Sequence, residues 1–192
     1  MKEIRSGAWS PELSEAEQET LFVIACDTLE WCVGGRTGAF SLDRYGMTET
    51  LRRPMATFVT LNLDGHLRGC IGSLAPVAPL GESVHDNAVN AAMNDYRFGP
   101  VTRVELPRLA VHISILSPIT DIASLDEFRL GEHGIIIRKG MHRAVYLPEV
   151  AIEQAWTMDQ TLSSLSRKAG LAADAWRDGA SFQVFSSVAL SR

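Results

Sequence analysis

The stretch His66-Leu67-Arg68-Gly69-Cys70-Ile71-Gly72 sets a guanidinium and a thiol two residues apart in what reads as a β-strand. A cation beside a cysteine favours the thiolate, the form that attacks electrophiles and takes part in redox exchange. Cys70 is therefore a candidate catalytic residue. Its alternative role is a small buried hydrophobe, since free cysteine is among the most buried residue types. Arg68 requires a carboxylate or a ligand anion, because a guanidinium is almost never fully buried without one. Asp95 is the first choice of protein partner and Glu149 the second; a structural ion pair and an anion-binding site both satisfy the residue. Gly69 and Gly72 would let a ligand come close to the backbone.

Asp95 and Arg97, in Asp95-Tyr96-Arg97-Phe98, follow a helical stretch. They fit a helix cap and turn with Phe98 plugging the core. They equally fit a pocket rim, where Arg97 would bind an anion and Asp95 would transfer protons. His133, between Glu132 and Gly134, lies in a turn before a strand and can serve as acid or base near neutral pH, or be merely solvated. The five histidines show neither i, i+4 pairing nor a Cys-x-x-Cys partner, so no metal site is expected. Phosphate-cradling and dinucleotide glycine motifs are absent, as is G-x-S-x-G, so no cofactor is expected and a serine hydrolase is disfavoured.

The elements that must hold these residues can be read in part. Asp64-Gly65 is the preferred chemistry of a type I′ hairpin turn between the runs 55–63 and 66–74. A two-residue turn pairs Leu63 with His66, Leu61 with Arg68 and Val59 with Cys70, which places Arg68 and Cys70 together on an apolar face. Ser14 and Glu17 form a capping-box signal, and Leu21, Phe22, Ala25, Leu29 and Cys32 follow at helical spacing until Gly34-Gly35. Leu80, Val84, Ala88 and Ala91 or Ala92 mark a second helix, ended by Gly99 and Pro100.

Residues 109–116 alternate as a half-buried strand with Val111, Ile113 and Ile115 inward. Residues 133–147 read as a hairpin turning near Lys139-Gly140. Pro148 opens a short helix, Asp159 caps another that stops at Gly170, and residues 181–190 form a closing strand. Residues 36–54 read as a long surface connection. Hairpins interspersed with helices, without a regular βαβ rhythm, give an α+β fold.

The chain has 192 residues, a net charge of −5 and 46% hydrophobic residues, enough for one core without metal or disulfide staples. Basic residues are scattered, which disfavours nucleic acid as a partner. Three irregularly spaced cysteines do not make a disulfide framework. No apolar run is long enough to span a membrane and the N-terminus lacks a signal-like segment, so a cytoplasmic protein is expected.

Leu67-Arg68-Gly69-Cys70-Ile71-Gly72 is identical to the signature hexapeptide of the AMMECR domain family. Residues 90–101, "NAAMNDYRFGPV", resemble its A-x-x-D-x-R-F-x-P segment. "GEHGI" resembles its G-x-H-G turn, "YLPEV" its L-P-x-V motif and "LSRKAGL" its K-A-G-L helix end, all in the family's order from about Phe22 to Val188. The resemblance implies a two-lobed α+β domain over 14–192, with the hexapeptide facing a cleft between lobes; residues 1–13 read as a flexible arm. It carries Arg68, Cys70, Asp95, Arg97 and His133 over as site residues. Gly99 departs from the second proline common in relatives and loosens that turn. In many bacteria and archaea such proteins are encoded with or fused to a Memo-like protein and a radical SAM enzyme, the AmmeMemoRadiSam grouping, which the resemblance implies as partners.

Two functions are expected from these features. One is an accessory module that binds a ligand or partner in the cleft. The other is an enzyme acting on a small anionic substrate, with Arg68 and Arg97 holding the anion, Cys70 as nucleophile or redox thiol, and His133 or Asp95 moving protons.

Overall fold

The computed structural model describes residues 2–5, 9–35 and 38–191, the first of these segments by its backbone. Helix α1 (Glu15–Val33) starts where the sequence signals it. Ser14 Oγ accepts from the Glu17 backbone N–H at 3.3 Å, and Glu17 Oε2 accepts from the Ser14 N–H at 2.8 Å. Its stripe of Leu21, Phe22, Ile24, Ala25, Leu29 and Cys32 is buried. The helix stops as Gly34 donates to the Glu30 carbonyl and Gly35 takes φ +97°.

Among its described residues the connection that follows holds a short helix, α2 (Glu49–Arg52), and a 3₁₀ turn at Leu42–Arg44. Strands β2 (Thr57–Leu63) and β3 (His66–Gly72) form the expected hairpin. Asp64 at φ 50° and Gly65 at φ 83° meet the two positive dihedrals of a type I′ turn. Helix α3 (Leu80–Met93) and strand β4 (Leu109–Leu116) complete the motif-bearing part of the first unit. Five strands form its sheet in the order β1-β9-β4-β2-β3, where β1 is Lys2–Arg5 and β9 is Ser187–Ser191. The arm expected over 1–13 thus includes a strand, while Met1 and residues 6–8 lie outside the described residues.

Val59, Leu61, Val111, Ile113 and Ile115 are buried on the sheet's inner face, beneath α1 and α3. Ala88, Ala91 and Ala92 let α3 lie close to the sheet, and Asn87 Nδ2 donates to the Thr57 carbonyl at 3.1 Å to fix the contact.

The second unit is built on Ser117–Ser187. Its sheet runs β5-β8-β6-β7, antiparallel throughout, from β5 (Thr120–Ile122), β6 (Gly134–Lys139), β7 (His142–Tyr146) and β8 (Ser181–Phe185). Ile135, Ile137, Phe182 and Val184 pack with Leu162 and Leu165 of α5 (Met158–Lys168), which follows α4 (Pro148–Glu153).

Two sequence expectations change among these elements, and one strand was not foreseen. Thr157 rather than Asp159 caps α5, because its hydroxyl accepts from Gln160 N while Gln160 returns the bond. The closing strand divides at Ser186 into β8 and β9, which join different sheets. Strand β5 has too few residues to show a period. The fold class is α+β with antiparallel hairpins and flanking helices. Among the described residues, no helix is long and apolar enough to cross a membrane.

Candidate functional site

The hairpin register follows the turn for two pairs, Leu63 with His66 and Asn62 with Leu67, and then slips. Leu61 pairs with Gly69, which leaves Arg68 as the extra residue of a β-bulge. Beyond the bulge Cys70 opposes Thr60 and not Val59. Cys70 therefore shares the half-buried face of Thr60, opposite the face that Val59 and Leu61 turn to the helices. A turn signal fixes register only as far as the first bulge.

Arg68 leaves the strand towards the segment after α3. Its Nε and Nη2 form a fork on Glu105, at 2.7 and 3.2 Å. Nη1 donates to the Gly99 carbonyl at 2.9 Å and Nη2 to the Pro100 carbonyl at 3.1 Å. Glu105, and not Asp95, is the partner. The Arg68 guanidinium, followed by the backbone N–H of Thr102, holds the Glu105 carboxyl at about 2. With these four hydrogen bonds Arg68 ties strand β3 to residues 99–105.

Asp95 is paired elsewhere. Its side chain is buried; Oδ2 accepts from Arg97 Nη2 at 2.6 Å and Oδ1 from Arg97 Nε at 2.9 Å. Oδ2 also accepts the backbone N–H of Cys70 at 2.9 Å, while Arg97 Nη2 donates to the Cys70 carbonyl at 3.1 Å. Alternate residues of an antiparallel strand turn both main-chain groups away from their partner strand, and β3 is the outermost strand of its sheet. Asp95 and Arg97 thus supply the two hydrogen bonds that a further strand would have made. Hydrogen bonding from Arg97, then from the Cys70 and Arg97 backbones, brings the Asp95 carboxyl down to about 2 despite burial. Asp95 reciprocally raises the Arg97 pKa, so the guanidinium stays charged.

The thiol of Cys70 accepts a hydrogen bond from Thr60 Oγ1 at 3.2 Å. The Arg97 guanidinium interacts electrostatically with Cys70, and Arg68 is directed to Glu105. Thr60 also opposes His112 of β4, so thiol, hydroxyl and imidazole form one row across three strands. Arg97 is 42% exposed at its side chain, and its Nη1 has no partner among the described residues, so this guanidinium can accept an anion.

The two glycines have packing roles. A Cβ at Gly69 would overlap the Ala91 carbonyl oxygen of α3, and one at Gly72 would overlap the Phe58 ring and the Thr57 carbonyl. His133 belongs to the second unit, where its Nδ1 accepts the Arg129 backbone N–H at 3.2 Å and closes the turn before β6. No cluster of three or more metal-ligating side chains occurs among the described residues.

The AMMECR1 family profile matches residues 23–190. The chain belongs to the AMMECR1 family. Protein MJ0810 of Methanocaldococcus jannaschii is 38% identical over 136 residues, covering 67% of this chain and 68% of its own. A protein of Methanothermobacter thermautotrophicus is 36% identical over 174 residues, with 86% and 88% covered. The crystal structure of PH0010, an uncharacterized protein from Pyrococcus horikoshii, matches with a TM-score of 0.84 at 27% identity, over 95% of this chain and 94% of that one.

Thr60, Glu105 and His112 escaped the sequence reading. Thr102 and Glu105 do carry a capping-box spacing, and Glu105 Oε2 indeed accepts from Thr102 N at 2.7 Å. Its reach to Arg68, and the row through Thr60, depend on strand pairing between distant segments.

Proposed function

We propose that this AMMECR1-family chain is an accessory module that docks a partner protein at the outer edge of β3, with Arg97 as the anion-recognising group of that surface. The observation that carries it is the use of the motif residues. Arg68, Glu105, Asp95 and Arg97 spend most of their polar groups fixing the strand edge and the loop after α3. Each of these segments also presents an exposed apolar side chain: Leu67 beside Arg68, Tyr96 between Asp95 and Arg97, and Val104 beside Glu105. Tyr96 is 93% exposed, which in a rigid turn marks a contact residue rather than a core one. The Memo-like and radical SAM proteins implied by the family resemblance are the partners proposed.

Binding of the purified Memo-like and radical SAM proteins of the same organism, measured by isothermal titration calorimetry, tests this. Wild type is expected to bind one of them. The Leu67→Ser/Tyr96→Ser variant is expected to lose roughly tenfold or more in affinity, as hot-spot truncations do. Unchanged affinity in the variant, or binding to neither protein, removes the proposal.

A second function, a thiol enzyme for a small anionic substrate, is favoured by one observation. The Thr60 hydroxyl donates to the Cys70 sulfur, and Arg97 supplies positive charge nearby. Selective alkylation of Cys70 over Cys26, which is exposed, would support it.

A further inference from the structure

Asp27, Glu30 and Trp31 lie at i, i+3 and i+4 on α1 and share one side of the helix. Together with Phe40, Ser41 and Arg44 they line a cavity of about 390 Å³ within the first unit. That volume is in the range of small-molecule sites.

The wall is aromatic and held in place. The Trp31 and Phe40 rings meet at 5.6 Å between centroids, and Phe40 stacks on His85 at 4.3 Å. His85 is in turn hydrogen-bonded through Nδ1 to Thr28 at 2.8 Å, and the Trp31 indole N–H donates to the Gly38 carbonyl at 3.0 Å.

Arg44 shows what this chemistry accepts. Its guanidinium carbon lies 5.3 Å from the Phe40 centroid and 4.9 Å from that of Tyr45, and Nη2 donates to Asp27 at 2.7 Å. Arg44 and Asp27 thereby neutralise each other. Glu30 is left as an exposed carboxylate with no hydrogen bond or ion pair to the described residues. An anion would meet this net negative charge, with the lining cation already committed to Asp27. A cation would meet the Glu30 carboxylate, unpaired among the described residues, beside the aromatic wall.

We propose that this cavity binds a small organic cation through a guanidinium or primary ammonium group, paired with Glu30 and packed on the Trp31–Phe40 wall.

The test is titration of ¹⁵N-labelled full-length chain with agmatine, following the Trp31 indole N–H resonance. A saturable shift is expected. Glu30→Gln, an exposed substitution that leaves the fold intact, should weaken it by roughly fivefold or more. A blocked tripeptide with a central arginine is titrated in parallel. Tighter binding of the peptide assigns the cation to a polypeptide side chain, and tighter binding of agmatine assigns it to a free amine. No saturable shift in the millimolar range, equal affinity in Glu30→Gln, or the same shift with succinate overturns the proposal.

Discussion

Asp95 and Arg97, two residues apart, form a forked ion pair along the outer edge of Cys70, accepting from its N–H and donating to its carbonyl. Because the pair is nearly contiguous in sequence, little chain entropy is spent in closing it. The Arg97 side chain is thereby held on the Cys70 main chain while remaining 42% exposed.

Replacing Asp95 by Ala is expected to lower unfolding free energy by about 2–4 kcal/mol, since the Cys70 N–H and Arg97 both lose their acceptor. Asp95→Asn keeps an acceptor for the N–H and should lose roughly half as much. Urea denaturation of the two variants checks this. Equal stabilities for wild type and Asp95→Ala would show that the edge bonds add nothing.

Acid stability follows from the same pair and from Glu105. Both carboxyls fall to about 2 in the folded chain, from ordinary values of 3.8 and 4.5. Their folded values are depressed, so their contribution is complete above the unfolded values and is lost as pH falls through the folded ones. Melting temperature should be insensitive to these groups above about pH 5 and drop between about pH 4.5 and 2. Glu105→Gln should flatten that slope. A slope unchanged in Glu105→Gln would remove Glu105 from it.

Arg68→Met takes the guanidinium from the 16%-exposed Glu105 side chain, which keeps its two Thr102 bonds, and removes the Arg68 donor from the Gly99 and Pro100 carbonyls. A loss of about 2–4 kcal/mol is expected, and Arg68→Lys should recover less than half, because an ammonium cannot span Glu105 and both carbonyls as the planar fork does. Thermal unfolding distinguishes the three proteins; full recovery by lysine would show that charge alone matters.

Gly69→Ala drives a methyl into the carbonyl of Ala91, on the buried side of α3. The helix must shift, at about 2 kcal/mol or more. Should the variant be as stable as wild type, the close approach of α3 to β3 would be wrong.

The Cys70 thiol is predicted to alkylate more slowly at neutral pH in Thr60→Val and in Arg97→Gln, each by roughly threefold or more. Exposed Cys26 serves as the internal reference, and peptide mapping after iodoacetamide reads both. Unchanged rates would show that neither the hydroxyl nor the guanidinium acts on the sulfur.

By itself the sequence determined what depends on neighbours in the chain. The Ser14–Glu17 box, the Gly34-Gly35 stop, the Asp64-Gly65 turn and the inward run Val111, Ile113 and Ile115 are all local, and each occurs where its pattern placed it. Only the tertiary structure decided which arginine meets which carboxylate. Asp95 and Glu105 are equally plausible partners for Arg68 on charge. The choice was made by one unpaired residue in the hairpin, which no turn or period encodes. That slip moved Cys70 from the apolar face to the side of Thr60 and His112. A one-residue change of register exchanges the two faces of a strand, so the surroundings of the thiol were set by the bulge and not by the spacing of Arg68 and Cys70.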